Sequence, residues 1–134
     1  MISDDNVALW LQRYVDAWRR ADDDLVRGLF TPDAIYHTDP FRDPFIGHDA
    51  ILRYWHESGD APDAFDAHYE PVHVAADFAV AQGVSRYFSD DRSHVERDYS
   101  NVFLLWFATA GLCREYHEWY MQRRETGQGV DASQ

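Results

Sequence analysis

Three side chains stand where their type and setting suit proton chemistry on a carbon compound: Tyr14, Asp39 and Glu118. Tyr14 shares a stripe with Trp10, Leu11 and Trp18 at three- and four-residue steps, so on a helix its ring faces inward. A phenol O–H enclosed by apolar rings can donate to an oxygen that gains negative charge during a reaction. It can equally be a core tyrosine satisfied by a carbonyl or a water. Asp39 closes a strand-like run and precedes Pro40. A desolvated carboxylate there would have a raised pKa and could take a proton from a carbon beside a carbonyl. The plainer reading is a turn aspartate bonded to its own backbone. Glu118 has Tyr116 and Tyr120 two positions away on either side, hence on its own strand face. Aromatic surroundings make its ionised form costly and suit it to act as a general acid. The alternative is an ion pair with Arg114 on the same face.

Other polar residues carry less. His37 and His117 neighbour favoured positions, but strand alternation points both the other way, where a histidine fits an interface better than a reaction. His37, Asp39, His48 and Asp49 could be counted as metal ligands, yet they read better as turn and cap residues, and no metal or other cofactor is expected. Arg97-Asp98 reads as local charge pairing. No glycine-rich phosphate loop, GxSxG elbow or HExxH helix occurs, which sets aside nucleotide, serine-hydrolase and zinc-protease chemistry.

The elements that would position these residues follow from periodicity. Residues 3–20 read as an amphipathic helix, with Val7, Trp10, Leu11, Tyr14, Val15 and Trp18 on one face and Arg19 and Arg20 at the C-terminal end. Asp22 caps a short second helix carrying Leu25, Val26, Leu29 and Phe30, which Thr31-Pro32-Asp33 stops. A strand over 34–38 leads into the irregular DPFRDPFIG. Ile51, Leu52 and Trp55 mark a third helix over 49–56, ended by Gly59, and GDAPDAFD is a loop by composition. Four strands follow on short turns, over 67–75, 79–88, 95–107 and 112–122, which implies an antiparallel meander. Three helices and such a meander predict an α+β fold: a cone-shaped, curved antiparallel sheet wrapped around the helices and enclosing a pocket. Helix stripe and strand parity assign Trp18, Tyr36, Trp55, Tyr87, Phe103 and Tyr120 to its lining, with Trp10 or Tyr14.

Composition bounds what such a protein meets. One domain over 1–123 accommodates the 134-residue chain, with a polar tail at 124–134 expected to fray. A net charge of −12 argues against nucleic acid and anionic membrane as partners. The single Cys113 allows neither an intrachain disulfide nor a cysteine-built zinc site. MISDDNVALW lacks the basic and apolar regions of a signal peptide, so a cytoplasmic protein is expected. The last strand is bulky on both faces, with His117 and Trp119 opposite Tyr116, Glu118 and Tyr120, which predicts a homodimer through the outer face.

The stretch QRYVDAWRRADDDLVRGLFTPDAIYHTDP resembles the N-terminal half of ketosteroid isomerase and its SnoaL-like polyketide-cyclase relatives. GHDAILRYW is similar to the third helix of that superfamily, whose fold is nuclear-transport-factor-two-like and cystatin-like, and FATAGLCREYHEWYM to its final hairpin. The resemblance implies a small-molecule pocket and places Tyr14 on the isomerase's oxyanion tyrosine. It places Asp39-Pro40 on the Asp-Pro pair of the isomerase base, at the cost of one inserted residue; without the insertion Thr38 takes that place. The position of the isomerase's second oxyanion group, a protonated aspartate, falls on Phe103. In the cyclase branch the acid sits in a Glu-His-Trp-Asp pattern resembling Glu115-Tyr116-His117-Glu118, with Glu118 in the acid's place. Asp39 turns inward only if a bulge separates it from Tyr36. The two expectations that result are a cofactor-free enzyme acting on a small, largely apolar molecule by isomerisation or cyclisation, and a non-catalytic binding or assembly domain of the same fold.

Overall fold

The computed structural model describes residues 2–58 and 64–124. Helix α1, Asp4–Arg20, starts where the Ser3 side chain accepts from the Asn6 N–H and the Asn6 side chain accepts from the Ser3 N–H, both at 3.1 Å. Asp4 and Asp5 open it and Arg19 and Arg20 close it, so charge at both ends opposes the helix dipole. Its buried face is Val7, Trp10, Leu11, Tyr14 and Ala17. Asp22 caps the short α2, Asp23–Arg27, through the Asp24 and Leu25 N–H groups.

Here the structure departs from the sequence reading. Phe30 does not continue a helix, and Thr31-Pro32-Asp33 is not a stop: strand β1 runs over Phe30–His37. The Cys113 N–H donates to the Leu29 carbonyl at 2.8 Å, and the Phe30 ring lodges among Trp10, Tyr36 and Tyr116. That burial outweighs the local helical preference. Pro32 is tolerated because pairing is interrupted between Phe30 and Ile35, so no ladder bond is lost to its missing N–H. A two-residue strand within DPFRDPFIG, β2 (Phe45–Ile46), pairs antiparallel with β1 and leads into helix α3, His48–Ser58.

Strands β3 (Phe65–Ala75), β4 (Phe78–Phe88), β5 (Val95–Phe107) and β6 (Cys113–Gln122) form the meander the sequence predicts. The full sheet has the order β2-β1-β6-β5-β4-β3. It is mixed rather than wholly antiparallel, because β1 lies parallel to β6, with Tyr36 opposite Tyr116 and His37 opposite His117. The apolar face of α1 meets Phe30, Tyr69, Phe103, Phe107 and Tyr116 in one core. The expected loop over 59–66 lies mostly outside the described residues, as does nearly all of the expected tail. No described helix is long and apolar enough to cross a membrane.

Candidate functional site

One chain of hydrogen bonds joins the first helix to the last strand. Tyr116 donates to Glu118 Oε1 at 2.9 Å, and the Tyr14 and Tyr116 hydroxyls are 2.7 Å apart. A phenol has one proton, and that of Tyr116 goes to Glu118, so Tyr14 is the donor in the hydroxyl pair. A second arm reaches the same carboxyl from the sheet: Asn101 Nδ2 donates to Glu118 Oε2 at 2.7 Å. Ser85 donates to Asn101 Oδ1 at 3.0 Å, which fixes which end of the amide faces Glu118. A Tyr69–Ser85 hydrogen bond extends that arm. Ser85 and Asn101 are both buried, so each polar group here has the partner it requires.

The network ends at a cavity of about 260 Å³, lined at depth by Tyr14, Tyr36, Trp55, Ser85, Asn101 and Glu118. Trp18, Tyr54, Tyr87, Tyr99, Arg97 and Tyr120 complete the wall, and of all these only Arg97 and Tyr120 are exposed. Aromatic contacts hold the deep end rigid. Tyr36 stacks on Tyr116 at 4.2 Å with rings 2° from parallel, Trp55 meets Tyr14 edge-on, and Trp55 Nε1 donates to the Tyr36 hydroxyl at 3.2 Å.

Glu118 keeps part of its side chain open to the cavity, while its carboxyl is enclosed. Loss of water raises its pKa above the ordinary 4.5; the donated bonds from Tyr116 and Asn101 pull it back only in part. Burial pushes Tyr14, Tyr36 and Tyr116 upward too, and the nearby Glu118 charge adds to the rise, so these phenols hold their protons. The site thus offers one carboxyl able to gain or lose a proton, and hydroxyls that donate without ionising.

A family model described as a SnoaL-like domain matches residues 11–116. The chain belongs to the SnoaL-like family. No curated protein sequence matches this SnoaL-like chain. Solved structures share its nuclear-transport-factor-two-like fold. A protein of that fold and of unknown function from Burkholderia xenovorans LB400 has a TM-score of 0.67 at 13% identity, over 97% of this chain and 94% of its own. A ketosteroid isomerase-like protein from Erwinia carotovora atroseptica SCRI1043 has 0.59 at 20%, over 90% and 98%. A candidate polyketide cyclase from Sinorhizobium meliloti has 0.59 at 19%, over 88% and 100%. Identities this low establish a shared fold and nothing about the reaction.

Within the SnoaL-like frame, Tyr14 and Glu118 come together through Tyr116, and Trp18, Tyr36, Trp55, Tyr87 and Tyr120 line the cavity. Two sequence expectations need correction. Asp39 is not among the described cavity-lining residues; its carboxylate accepts the Phe41 N–H at 2.8 Å, the turn role. The bulge needed to turn it inward is missing: Tyr36 and His37 pair in continuous register and β1 ends at His37. Phe103 is fully buried behind the cavity, edge-on to Tyr14 and Tyr116, rather than in its wall. Asp98 pairs with Arg86 and Arg123 and not with the adjacent Arg97. His48 bonds the Phe30 carbonyl at 2.9 Å.

Sequence reasoning passed over Asn101, Ser85 and the linking role of Tyr116. Asn101 had a usable signal: two residues before Phe103, it is a lone amide on the inward face of β5, where Phe103, Leu105 and Phe107 follow it.

Proposed function

We propose that this protein is a cofactor-free acid/base enzyme of the isomerising or cyclising kind, acting on a small, largely apolar carbonyl compound. The observation that supports the reading is the Tyr14–Tyr116–Glu118 chain at the closed end of an aromatic cavity. Glu118 takes a proton from the carbon beside the carbonyl, and the electron pair left behind moves onto the carbonyl oxygen. Once Glu118 is neutral it no longer holds the Tyr116 proton as strongly. Tyr116 can then donate to Tyr14, and the Tyr14 proton is free to stabilise the enolate oxygen. Returning the Glu118 proton to a different carbon completes an isomerisation; attack of the enolate carbon on a second carbonyl closes a ring, and the alkoxide so formed takes the Glu118 proton.

The test is deuterium exchange at the α-carbon of 2-tetralone and of 2-naphthylpyruvate in D₂O, followed by proton NMR. Exchange above the buffer rate supports the reading. No exchange with either compound replaces it with the non-catalytic binding domain. Tyr116→Phe tests the chain specifically. It removes a bond that favours ionised Glu118, so the midpoint of the rise in rate with pH should move upward from that of wild type. An unmoved midpoint would separate Tyr116 from the reacting carboxyl.

We also propose a homodimer through the outer face of the sheet. Trp119, opposite Val102 in register, is 54% exposed, and Met121 beyond it 77%, on the face turned away from the cavity. Light scattering should give twice the chain mass, and Trp119→Lys should give the monomer. A wild-type monomer at high concentration ends this claim.

A further inference from the structure

We propose that the ligand of this cavity carries a carboxylate beside its aromatic body, and that Arg97 at the rim reads that charge. The proposal deepens the acid/base reading by adding a substrate class, and it rests on that reading for its chemistry. Arg97 lies on β5 directly opposite Tyr87 on β4. Its guanidinium sits 4.1 Å from the centre of the Tyr87 ring, and Nη1 donates to the Tyr99 hydroxyl at 3.3 Å. Both tyrosines are cavity walls, so the cation is pinned to the rim instead of sweeping through solvent.

Its charge is also unanswered. Among the described residues no carboxylate lies within 4.0 Å of Arg97; Arg13, Arg42, Arg53 and Arg124 share that state, but none of them lines this cavity. The neighbouring Glu96 and Asp98 project from the opposite face by strand alternation, and Asp98 already serves two other arginines. Stacking on Tyr87 engages the face of the guanidinium and leaves edge N–H groups for a planar, two-oxygen partner. Among the described residues, Arg97 is the only cation in the wall of that cavity. A cavity of about 260 Å³ suits one or two fused rings with a short acidic arm.

Calorimetric titration with 2-naphthoate and its neutral isostere 2-naphthamide tests the assignment without requiring turnover. Wild type should bind 2-naphthoate about tenfold or more tighter than the amide, in line with a charge-assisted bond. Arg97→Gln should erase that preference by weakening the acid and leave amide affinity within about twofold; Arg97→Lys should keep part of it. Added salt should weaken binding of the acid alone. Equal affinities in wild type, a preference that survives Arg97→Gln, or no binding of either probe would each overturn the proposal. Glu118→Gln separates the two readings, because it should keep the charge preference while losing exchange activity. A failed exchange assay therefore leaves the Arg97 result standing, and a failed titration leaves Glu118 untouched.

Discussion

Exchange at the α-carbon of 2-tetralone should fall at least about a hundredfold in the Glu118→Gln protein, the usual contribution of a positioned acid/base group. The substitution keeps the shape of the side chain, and a turn of the Asn101 amide lets the new amide accept one bond and donate another. The pocket therefore survives while proton transfer does not. Stability should move the other way. The folded-state pKa of Glu118 is raised, so as pH climbs past 4.5 the unfolded chain gives up this proton first and the folded state loses ground. That loss builds until pH passes the raised value. The glutamine variant is free of it and should melt no lower than wild type at neutral pH. Asp39→Asn, which touches only the turn at Phe41, should retain full exchange. If Glu118→Gln exchanges at the wild-type rate, the acid/base reading falls.

Gly83→Ala should cost at least about 3 kcal/mol of stability, with Tm lowered on the order of 10 °C. A Cβ at Gly83 would overlap the His68 carbonyl oxygen and stand 2.7 Å from Tyr69 Cα and 2.8 Å from the Tyr69 ring. Backbone cannot step aside as a flexible side chain does, so β3 and β4 would have to separate where Tyr69 faces Gly83. Trimming Tyr69 to Ala in the same protein should leave most of the loss in place, since the carbonyl is the nearer obstacle. A melting temperature within about two degrees of wild type would show that the strands do not meet this closely.

The same two positions show what is readable in the residues alone. Strand parity in β6 puts Tyr116, Glu118 and Tyr120 on one face, and all three turn toward the core or cavity, because alternation is a local rule that tertiary structure rarely breaks. The stripe through Trp10, Tyr14 and Trp18 is legible for the same reason. What local pattern does not supply is the company each residue keeps. Nothing near Tyr14 in sequence announces Tyr116, and nothing near Gly83 announces the His68 carbonyl. The start of the Phe30–His37 strand escapes a local reading because the residues that hold it, Cys113 and Tyr116, are far along the chain. Asp39 is singled out by a neighbouring proline and a likeness in order, and its turn bond is the simpler local outcome.

The placement of the last strand between the first and the fifth has a consequence for how the molecule comes into being. Tyr14 meets its hydroxyl partner 102 residues further on, so the site closes one of the longest loops the chain can make. Strands β3, β4 and β5 can pair as soon as they exist, through nearest-neighbour hairpins. β1 has only the two-residue β2 beside it until β6 arrives, and α1 has half its core missing. During synthesis, then, the hairpins wait while the helix face of Trp10 and Tyr14 stays uncovered, and a single late event brings both halves and the reacting groups together. A released chain that ends before residue 113 should have β3–β5 hairpins protected from amide exchange and a first helix that is not.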